Sequence, residues 1–262
     1  MLFLYFKQTV FLFRLIQKIL TLYTIEIASS DYSTTRAAVA GGASRIELCA
    51  NLAEGGTTPG YGHIRRCREE FQVPICPIIR PRGGDFLYDD AEFDIMQRDV
   101  VLCRDLACDG VVLGLLCSDG TVDADRVARL VEAAYPLPVV FHRAFDRCRD
   151  PFEALERLIE LGVERILTSG QMPTAPEGVE LIRRLQVAAA GRITILPGSG
   201  ITPDNVRWLA EETGCTEFHA SLRAKQKSAM AFVHPAFAND PESYFNNSID
   251  PEAVQKMRQA LQ

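Results

Sequence analysis

The usual cysteine patterns of metal-binding folds are missing from this chain of 262 residues, although it holds eight cysteines. It has no CxxC pair and no cluster of cysteine with histidine, and this spacing excludes a zinc finger. Several cysteines stand inside apolar stretches, as Cys76 does in PICPIIR, where a thiol packs as a small hydrophobic group. We therefore expect free thiols and a reducing compartment.

Long runs of one residue type are absent as well. The chain has 28 basic and 34 acidic side chains, a net charge of −6, and no run of five or six like charges, which argues against a nucleic-acid surface. Residues 1–23 are apolar, but Lys7, Arg14 and Lys18 interrupt them before the roughly 20 residues that a membrane span needs. No clear secretory signal is present. We expect residues 1–23 to be an extension outside the fold, without firm membrane association.

The rest of the chain repeats a short β-type run followed by a helix-like stretch. The runs are rich in Ile, Val, Leu and Phe and end at Gly, Pro or a charge, which is typical of strands buried on both faces. They are TIEIA at 24–28, RIELC at 45–49, PICPIIR at 74–80, GVVLGL at 110–115, PVVFHR at 138–143, RILTSG at 165–170, RITILPG at 192–198 and EFHAS at 217–221.

Eight such units, about 28 residues apart, predict an α/β fold, a single closed (β/α)8 TIM barrel of parallel strands over residues 24–262. No Gly-x-Gly-x-x-Gly follows the first run, so a dinucleotide-binding sheet loses its main support. DPEAVQKMRQALQ predicts a C-terminal helix. The polar, Asn-rich residues 222–249 are expected to form a long loop over the barrel mouth.

Inward-facing charges mark the first two strands. Side chains alternate along a strand, so Glu26 points into the barrel if Ile25 and Ile27 face the helices, and Glu47 and Cys49 follow by the same parity. Buried carboxylates need cations or hydrogen bonds. We expect their partners to be Arg80 and Arg82, in the segment that leaves strand three.

Further polar groups stand at the same strand ends, where the chemistry of such barrels takes place. FHRAFD follows strand five, LTSG ends strand six, and EFHAS ends strand eight with His219 and Ser221. One hypothesis is an enzyme in which Glu47 or His142 moves a proton and Glu26 or Asp146 orients it. The alternative is a buried charge network that only stabilises the barrel.

Glycine-rich turns after strands six and seven predict an anion cradle, because backbone amides beside a helix N-terminus bind phosphate. The alternative is tight turns that need positive φ. Arginines would clamp the anion, since a guanidinium forms paired bonds to it. The candidate anion-binding residues are Arg80, Arg82, Arg143, Ser169, Gly170, Gly198, Ser199, Gly200 and His219.

A metal site is the weaker signal from the residues alone. Cu(I) prefers thiolate or thioether ligands. Cys49 is the one cysteine expected at a strand end facing the mouth, and Cys148, in the loop after strand five, is its candidate companion.

The run IELCANLAEGGTTPGYG, followed by IRPRGGDFLY, FHRAFD, RILTSG, PGSGIT and TEFHASLR, strongly resembles the copper homeostasis protein family CutC over residues 24–223. The resemblance implies a cytoplasmic (β/α)8 barrel that forms homo-oligomers, a dimer or tetramer, and that serves copper handling. Family members with a proposed Cu(I) site carry cysteines at the ends of strands one and two. Cys49 matches the second, whereas Ala28 stands at the first.

Two functions therefore stand side by side. The resemblance implies a copper homeostasis protein that binds Cu(I) at the barrel mouth, with copper as its cofactor or cargo. The residues themselves indicate an enzyme of unknown reaction that acts on a small anionic or phosphorylated ligand. A purely structural or partner-binding role is least favoured, because charges that converge inside a barrel make a poor docking surface.

Overall fold

Residues 23–239 and 244–262 are described by the structure, a computed structural model. Eight strands alternate with helices, and each strand overlaps one predicted run. The strands are β1 (Thr24–Ser29), β2 (Arg45–Leu48), β3 (Ile75–Pro77), β4 (Val111–Leu113), β5 (Val139–Phe141), β6 (Arg165–Thr168), β7 (Thr194–Pro197) and β8 (Glu217–Ala220). The helices are α1 (Tyr32–Ala40), α2 (Tyr61–Glu70), α3 (Asp90–Asp105), α4 (Ala124–Ala134), α5 (Pro151–Glu160), α6 (Val179–Ala189), α7 (Val206–Thr213) and α8 (Pro251–Leu261).

The strands form two parallel sheets that close into one barrel. One sheet has the order β3-β2-β1-β8 and the other β4-β5-β6-β7. Parallel bridges between Ile78 and Val112 and between Gly198 and His219 join the sheets at both seams. The predicted TIM barrel is therefore confirmed, with its C-terminal helix α8.

Local sequence explains where the helices begin. Asp150 caps α5 by accepting from the backbone amides of Phe152 and Glu153, and Pro151 occupies the first turn, where its missing N–H is not needed. Asp250 and Pro251 start α8 in the same way.

The apolar core has two parts. The larger part lies between strands and helices and includes Ile25 and Ile27, as the side-chain parity predicts. The smaller part fills one side of the barrel interior. It comprises Cys49, Cys76, Ile78, Val112, Val140, Leu167 and Leu196. The strands β1, β2 and β8 instead direct charged side chains inward, so the interior has an apolar side and a polar side.

The expectation of a long loop over residues 222–249 is wrong at both ends of that range. Residues Arg223–Lys227 form strand β9 and Phe245–Ile249 form strand β10, which pair antiparallel. All five residues of β9 are exposed, so backbone hydrogen bonds rather than a buried apolar face stabilise the pair. Its sequence, RAKQK, therefore lacks the alternation that predicts a strand.

The extension expected over residues 1–23 lies outside the described residues, Tyr23 excepted. Tyr23 packs beside Phe218 of β8, with ring centroids 6.3 Å apart. Within the described part of the chain, no helix has the length and apolar character to cross a membrane.

Candidate functional site

A ladder of buried and half-buried charges lies on the polar side of the barrel. Arg45 donates from Nε to Glu26 Oε2 at 2.5 Å and from Nη2 to Glu217 Oε2 at 2.6 Å. Arg165 donates from Nε to the same Glu217 oxygen at 3.0 Å. Because Arg165 belongs to β6 and Glu217 to β8, this ladder connects the two sheets across the interior.

Arg45, and not Arg80 or Arg82, pairs with Glu26, so the expectation that Arg80 and Arg82 are the partners of the inward carboxylates is wrong. Glu26 and Arg45 are direct neighbours in the register of β1 and β2, which places their inward side chains together. The alternation of RIELC already puts Arg45 on the same face as Glu47. This alternation is the sequence feature that could have identified Arg45 as a partner. Nothing local in the sequence pointed to Arg165 or Glu217.

His219 lies between two carboxylates at the top of this ladder. Its Nδ1 is 2.7 Å from Glu26 Oε1, and its Nε2 is 3.8 Å from Glu47 Oε2. The three side chains are buried, and within the described residues their ligand atoms all lie within 4.8 Å of one another. A group of this kind can exchange protons or hold a metal ion.

The pKa values of the two carboxyl groups, Glu26 and Glu47, are shifted in opposite directions. Burial acts to raise the pKa of Glu26, but the charge of Arg45 and the hydrogen bond from His219 outweigh it and lower the pKa to about 2. Burial raises the pKa of Glu47, against the lowering effect of His219. Burial acts to lower the pKa of His219, but Glu47 and Glu26 outweigh it and raise that pKa. Environments that separate two carboxyl pKa values in this way assign different roles in acid–base chemistry.

Cys49 directly follows β2, and its side chain contacts this group at Glu47. Its Sγ lies 3.4 Å from Glu47 Oε2. Gly56 packs over the thiol, because a Cβ at that position would stand 3.3 Å from Sγ. Burial first, and the charge of Glu47 second, raise the pKa of Cys49 well above its usual range. Ala28 is the register partner of Glu47 on β1 and lines the mouth.

A cavity of about 970 Å³ opens above these residues at the C-terminal end of the strands. Glu47 and His219 line its floor, whereas Glu26 stands behind them. Loop residues close its sides. These include Glu54, Arg80, Phe86, His142, Arg143, Ser199, Gly200, Ser221 and Arg223. The volume suits an organic molecule of modest size.

Arg80 and Arg82 follow the same strand but take different positions. Arg80 is buried, and its Nη1 and Nη2 donate to the backbone carbonyls of Glu54, Gly56 and Gly84. Arg82 turns away and pairs with Glu92 in the first turn of α3 at 2.5 Å. Only Arg80 of this pair lines the mouth cavity.

His142 is buried at the opposite wall from the carboxylates of β1 and β2. Its Nδ1 accepts from the backbone N–H of Ala144 at 3.1 Å. Its Nε2 is buried without a partner among the described residues. Burial, followed by the charge of Arg80, lowers the pKa of His142 to about 3.

Asp146 organises the loops after β5 and β6. Its carboxylate accepts from Thr168 Oγ1 at 2.5 Å, from Ser169 N and Oγ, and from Arg143 Nε at 2.8 Å. Arg143 also donates to Ser169 Oγ. Asp146 has no hydrogen bond to His142 among those of the described residues, so the structure brings it to Ser169 and Arg143 instead.

Some residues of the predicted anion cradle line the cavity, and others pack against neighbouring residues instead. Ser199 and Gly200 line the cavity with φ of 77° and 70°. Gly170 gives its amide to Thr168 Oγ1 and packs on Gly178, while Gly198 packs on Leu167. Positive φ at Ser199 is unusual for a residue with a Cβ and is often found at binding sites.

Cys148 does not join Cys49. It lines a separate cavity of about 170 Å³, with Arg149 and Asp150, and its Sγ accepts a weak contact from Gln171 Nε2 at 3.6 Å. Among the described residues, Cys49 and not Cys148 is the thiol in contact with Glu47.

The closed parallel barrel and the histidine held between two carboxylates at its mouth define the class: a TIM-barrel protein with a polar site at the strand ends. The model of the CutC family matches residues 23–224. The chain belongs to the CutC family, as its sequence motifs indicated.

Known proteins support this membership. A family protein CutC of Chromobacterium violaceum is 47% identical over 240 residues, which is 90% of this chain and 97% of the relative. The copper homeostasis protein cutC homolog of Homo sapiens is 45% identical over 216 residues, which is 82% of this chain and 79% of the relative. The crystal structure described as a copper homeostasis protein CutC from Streptococcus agalactiae superposes with a TM-score of 0.73 at 35% identity, covering 76% of this chain and 99% of that one.

Proposed function

We propose that this protein serves copper homeostasis in the cytoplasm by binding Cu(I) at the mouth of its barrel. The observation that carries the proposal is that Cys49 Sγ and His219 Nε2 approach the same oxygen of Glu47, at 3.4 Å and 3.8 Å. Thiolate and imidazole are both ligands that copper accepts. The human relative's name, which refers to copper homeostasis, supports the same function.

Ligation by Cys49 requires loss of the thiol proton. Because burial and Glu47 raise the pKa of this thiol, the proton is held strongly, and a bound cation has to replace it. Copper affinity should therefore increase with pH. With Ala28 at the end of β1, Cys49 is the thiol that contacts Glu47, and His219 would supply the second ligand.

An anaerobic Cu(I) competition titration against a chelator tests this site. We expect one equivalent to bind the wild type and binding to be lost in Cys49→Ser and His219→Asn. Cys215→Ser is the matched control, because Cys215 is a buried thiol next to Gln186 and outside the mouth. Unchanged affinity in Cys49→Ser would overturn the proposal.

Ala28→Cys gives the converse experiment. Residue 28 is the register partner of Glu47 and lines the mouth cavity, so a second thiol there adds the ligand that Cu(I) prefers. We expect at least about tenfold tighter Cu(I) binding than in the wild type, which corresponds to about 1.4 kcal/mol. Affinity that stays at the wild-type level would place the copper site away from these strand ends.

A second candidate function is proton transfer on a small anionic substrate. It is favoured by the opposite pKa shifts of Glu26 and Glu47 on one imidazole that faces the cavity. Glu26 would fix the ring through Nδ1, His219 Nε2 would exchange a proton with the substrate, and Glu47 would serve as the second proton-carrying group.

Deuterium exchange tests this second function. Pyruvate and dihydroxyacetone phosphate serve as probes, and proton NMR in D2O follows the loss of their α-hydrogen signals. We expect exchange above the buffer rate for at least one probe, loss of that exchange in His219→Asn and Glu47→Gln, and no change in Arg98→Met on the exposed surface of α3. Exchange at the buffer rate for both probes contradicts proton transfer next to a carbonyl.

A further inference from the structure

Two buried polar groups on the wall of the mouth cavity lack partners among the described residues. They are the Nε of Arg80 and the Nε2 of His142, and both side chains line the cavity. Arg80 is 3% exposed and His142 is 4% exposed, so bulk water does not replace the missing partners. Buried polar atoms are nearly always hydrogen-bonded in folded proteins, and exceptions call for a ligand, ion or water.

The protonation of His142 follows from its neighbours. Nδ1 accepts the backbone N–H of Ala144, so in the neutral ring the proton sits on Nε2, which is a donor. Gly114 packs against the ring, where a Cβ would come within 2.4 Å of Nδ1, and the Phe86 ring lies 4.9 Å away. The ring is therefore held in one orientation with an N–H that has nothing to donate to.

Arg80 is a buried cation that forms no salt bridge with the described residues. Three of its contacts are neutral carbonyl oxygens, and among the described residues no carboxylate lies within salt-bridge distance of it. Its guanidinium stands 4.9 Å from the centroid of Phe86, the same ring that flanks His142. A guanidinium keeps its charge in proteins, so burial favours an anion that neutralises it.

We propose that Arg80 and His142 together bind the anionic group, a carboxylate or a phosphate, of an organic ligand that occupies the mouth cavity. Both free groups are donors, one of them charged, and an anionic oxygen is the partner that satisfies both. A bare metal cation is repelled by the charge of Arg80, and neither of the two free donor groups offers it a lone pair. His142 then acts as a neutral hydrogen-bond donor and not as a base.

This inference rests on the second proposed function, since it names the class of molecule that would reach Glu47 and His219. The cavity of about 970 Å³ holds both the anion-binding wall and the carboxylate and imidazole group. The ligand would thus be held by its anionic end at Arg80 and His142, with its reacting carbon near His219. Copper binding at Cys49 is independent of it.

Histidine ring proton–nitrogen correlation spectra of the full chain test the inference. Of the four histidines, His142 is assigned as the signal that disappears in His142→Asn. We expect the Nε2–H tautomer and a saturable shift on adding inorganic phosphate or acetate, beyond that of sodium chloride at equal ionic strength. Saturation by phosphate alone identifies a phosphate site, and saturation by acetate alone identifies a carboxylate site.

The variants separate this inference from the proton-transfer proposal. His142→Asn should weaken anion binding at least about tenfold, as loss of a hydrogen bond to a charged group does, measured by calorimetry. His234→Asn, exposed and outside the cavity, should bind as the wild type does. Anion binding by the wild type without deuterium exchange contradicts the proton-transfer proposal and leaves this inference standing. An Nδ1–H tautomer, or no shift beyond chloride with either anion, overturns the inference even if exchange is observed.

Discussion

His142 is a base that the folded protein keeps uncharged. Its pKa is lowered to about 3, first by burial and then by the charge of Arg80, whereas an ordinary histidine titrates near 6.5. Below pH 6.5 the unfolded chain binds a proton at His142, whereas the folded chain keeps this ring neutral until the pH approaches 3. The free energy of unfolding therefore decreases as the pH falls from about 6.5 towards 3, by up to about 1.4 kcal/mol per pH unit for this group.

Substitution of His142 by Asn should remove this contribution. Between pH 6.5 and 4.5 we expect the unfolding free energy of the wild type to fall by about 2 kcal/mol more than that of His142→Asn. Urea unfolding at each pH measures the difference. His234→Asn is the control, because His234 is exposed and should follow the wild type. Equal acid sensitivity of wild type and His142→Asn would show that the folded state protonates this ring.

At the scale of elements, the sequence predicts what alternates or repeats and fails where a contact is distant. The eight apolar runs locate β1 to β8, and parity turns Glu26 and Glu47 inward. Parity cannot choose partners, so Arg45 on the neighbouring strand was missed as the cation for Glu26. The exposed strand β9 was missed because its side chains pack on no core.

The loop residue Gly170 also makes a contact with a distant residue that the sequence alone does not predict. The sequence allowed an anion cradle or a tight turn there. The structure gives φ of 70° and a close approach to Gly178, whose carbonyl oxygen would lie 2.3 Å from a Cβ at residue 170. This contact between the end of β6 and the start of α6 is a packing reason for glycine that does not need a ligand.

Alanine substitution separates the backbone conformation from the contact. Gly162 has φ of 75° and open space around it, so Gly162→Ala should cost about 1 kcal/mol for the left-handed conformation alone. Gly170→Ala meets Gly178 as well and should cost about 2 kcal/mol more, as overpacking does. Urea unfolding of both variants measures this. Equal losses would indicate that the loop moves aside.

At the scale of the whole molecule, the two sheets of the barrel meet at two seams that have fewer backbone pairs than the sheets themselves. Within each sheet, neighbouring strands share two or more register pairs, whereas each seam is a single bridge. The charge ladder compensates inside the barrel. Arg45 joins Glu26 on β1 to Glu217 on β8, and Glu217 joins Arg165 on β6 of the other sheet. The same ladder fixes Glu26 and so orients His219, which connects barrel closure to the site.

Arg45→Met should therefore be among the most damaging single changes away from the apolar core. It leaves the buried Glu26 carboxylate without its cation, and removal of one partner from a buried ion pair costs about 3–5 kcal/mol. Arg98→Met is the matched control, because Arg98 pairs with Asp94 on the exposed face of α3 and should cost less than about 1 kcal/mol. Urea unfolding followed by circular dichroism compares the two. A loss below about 1 kcal/mol in Arg45→Met would mean that Glu26 takes up a proton and that the seams close without the ladder. In that case the pKa of Glu26 would no longer be held low, and His219 would lose the carboxylate that orients it.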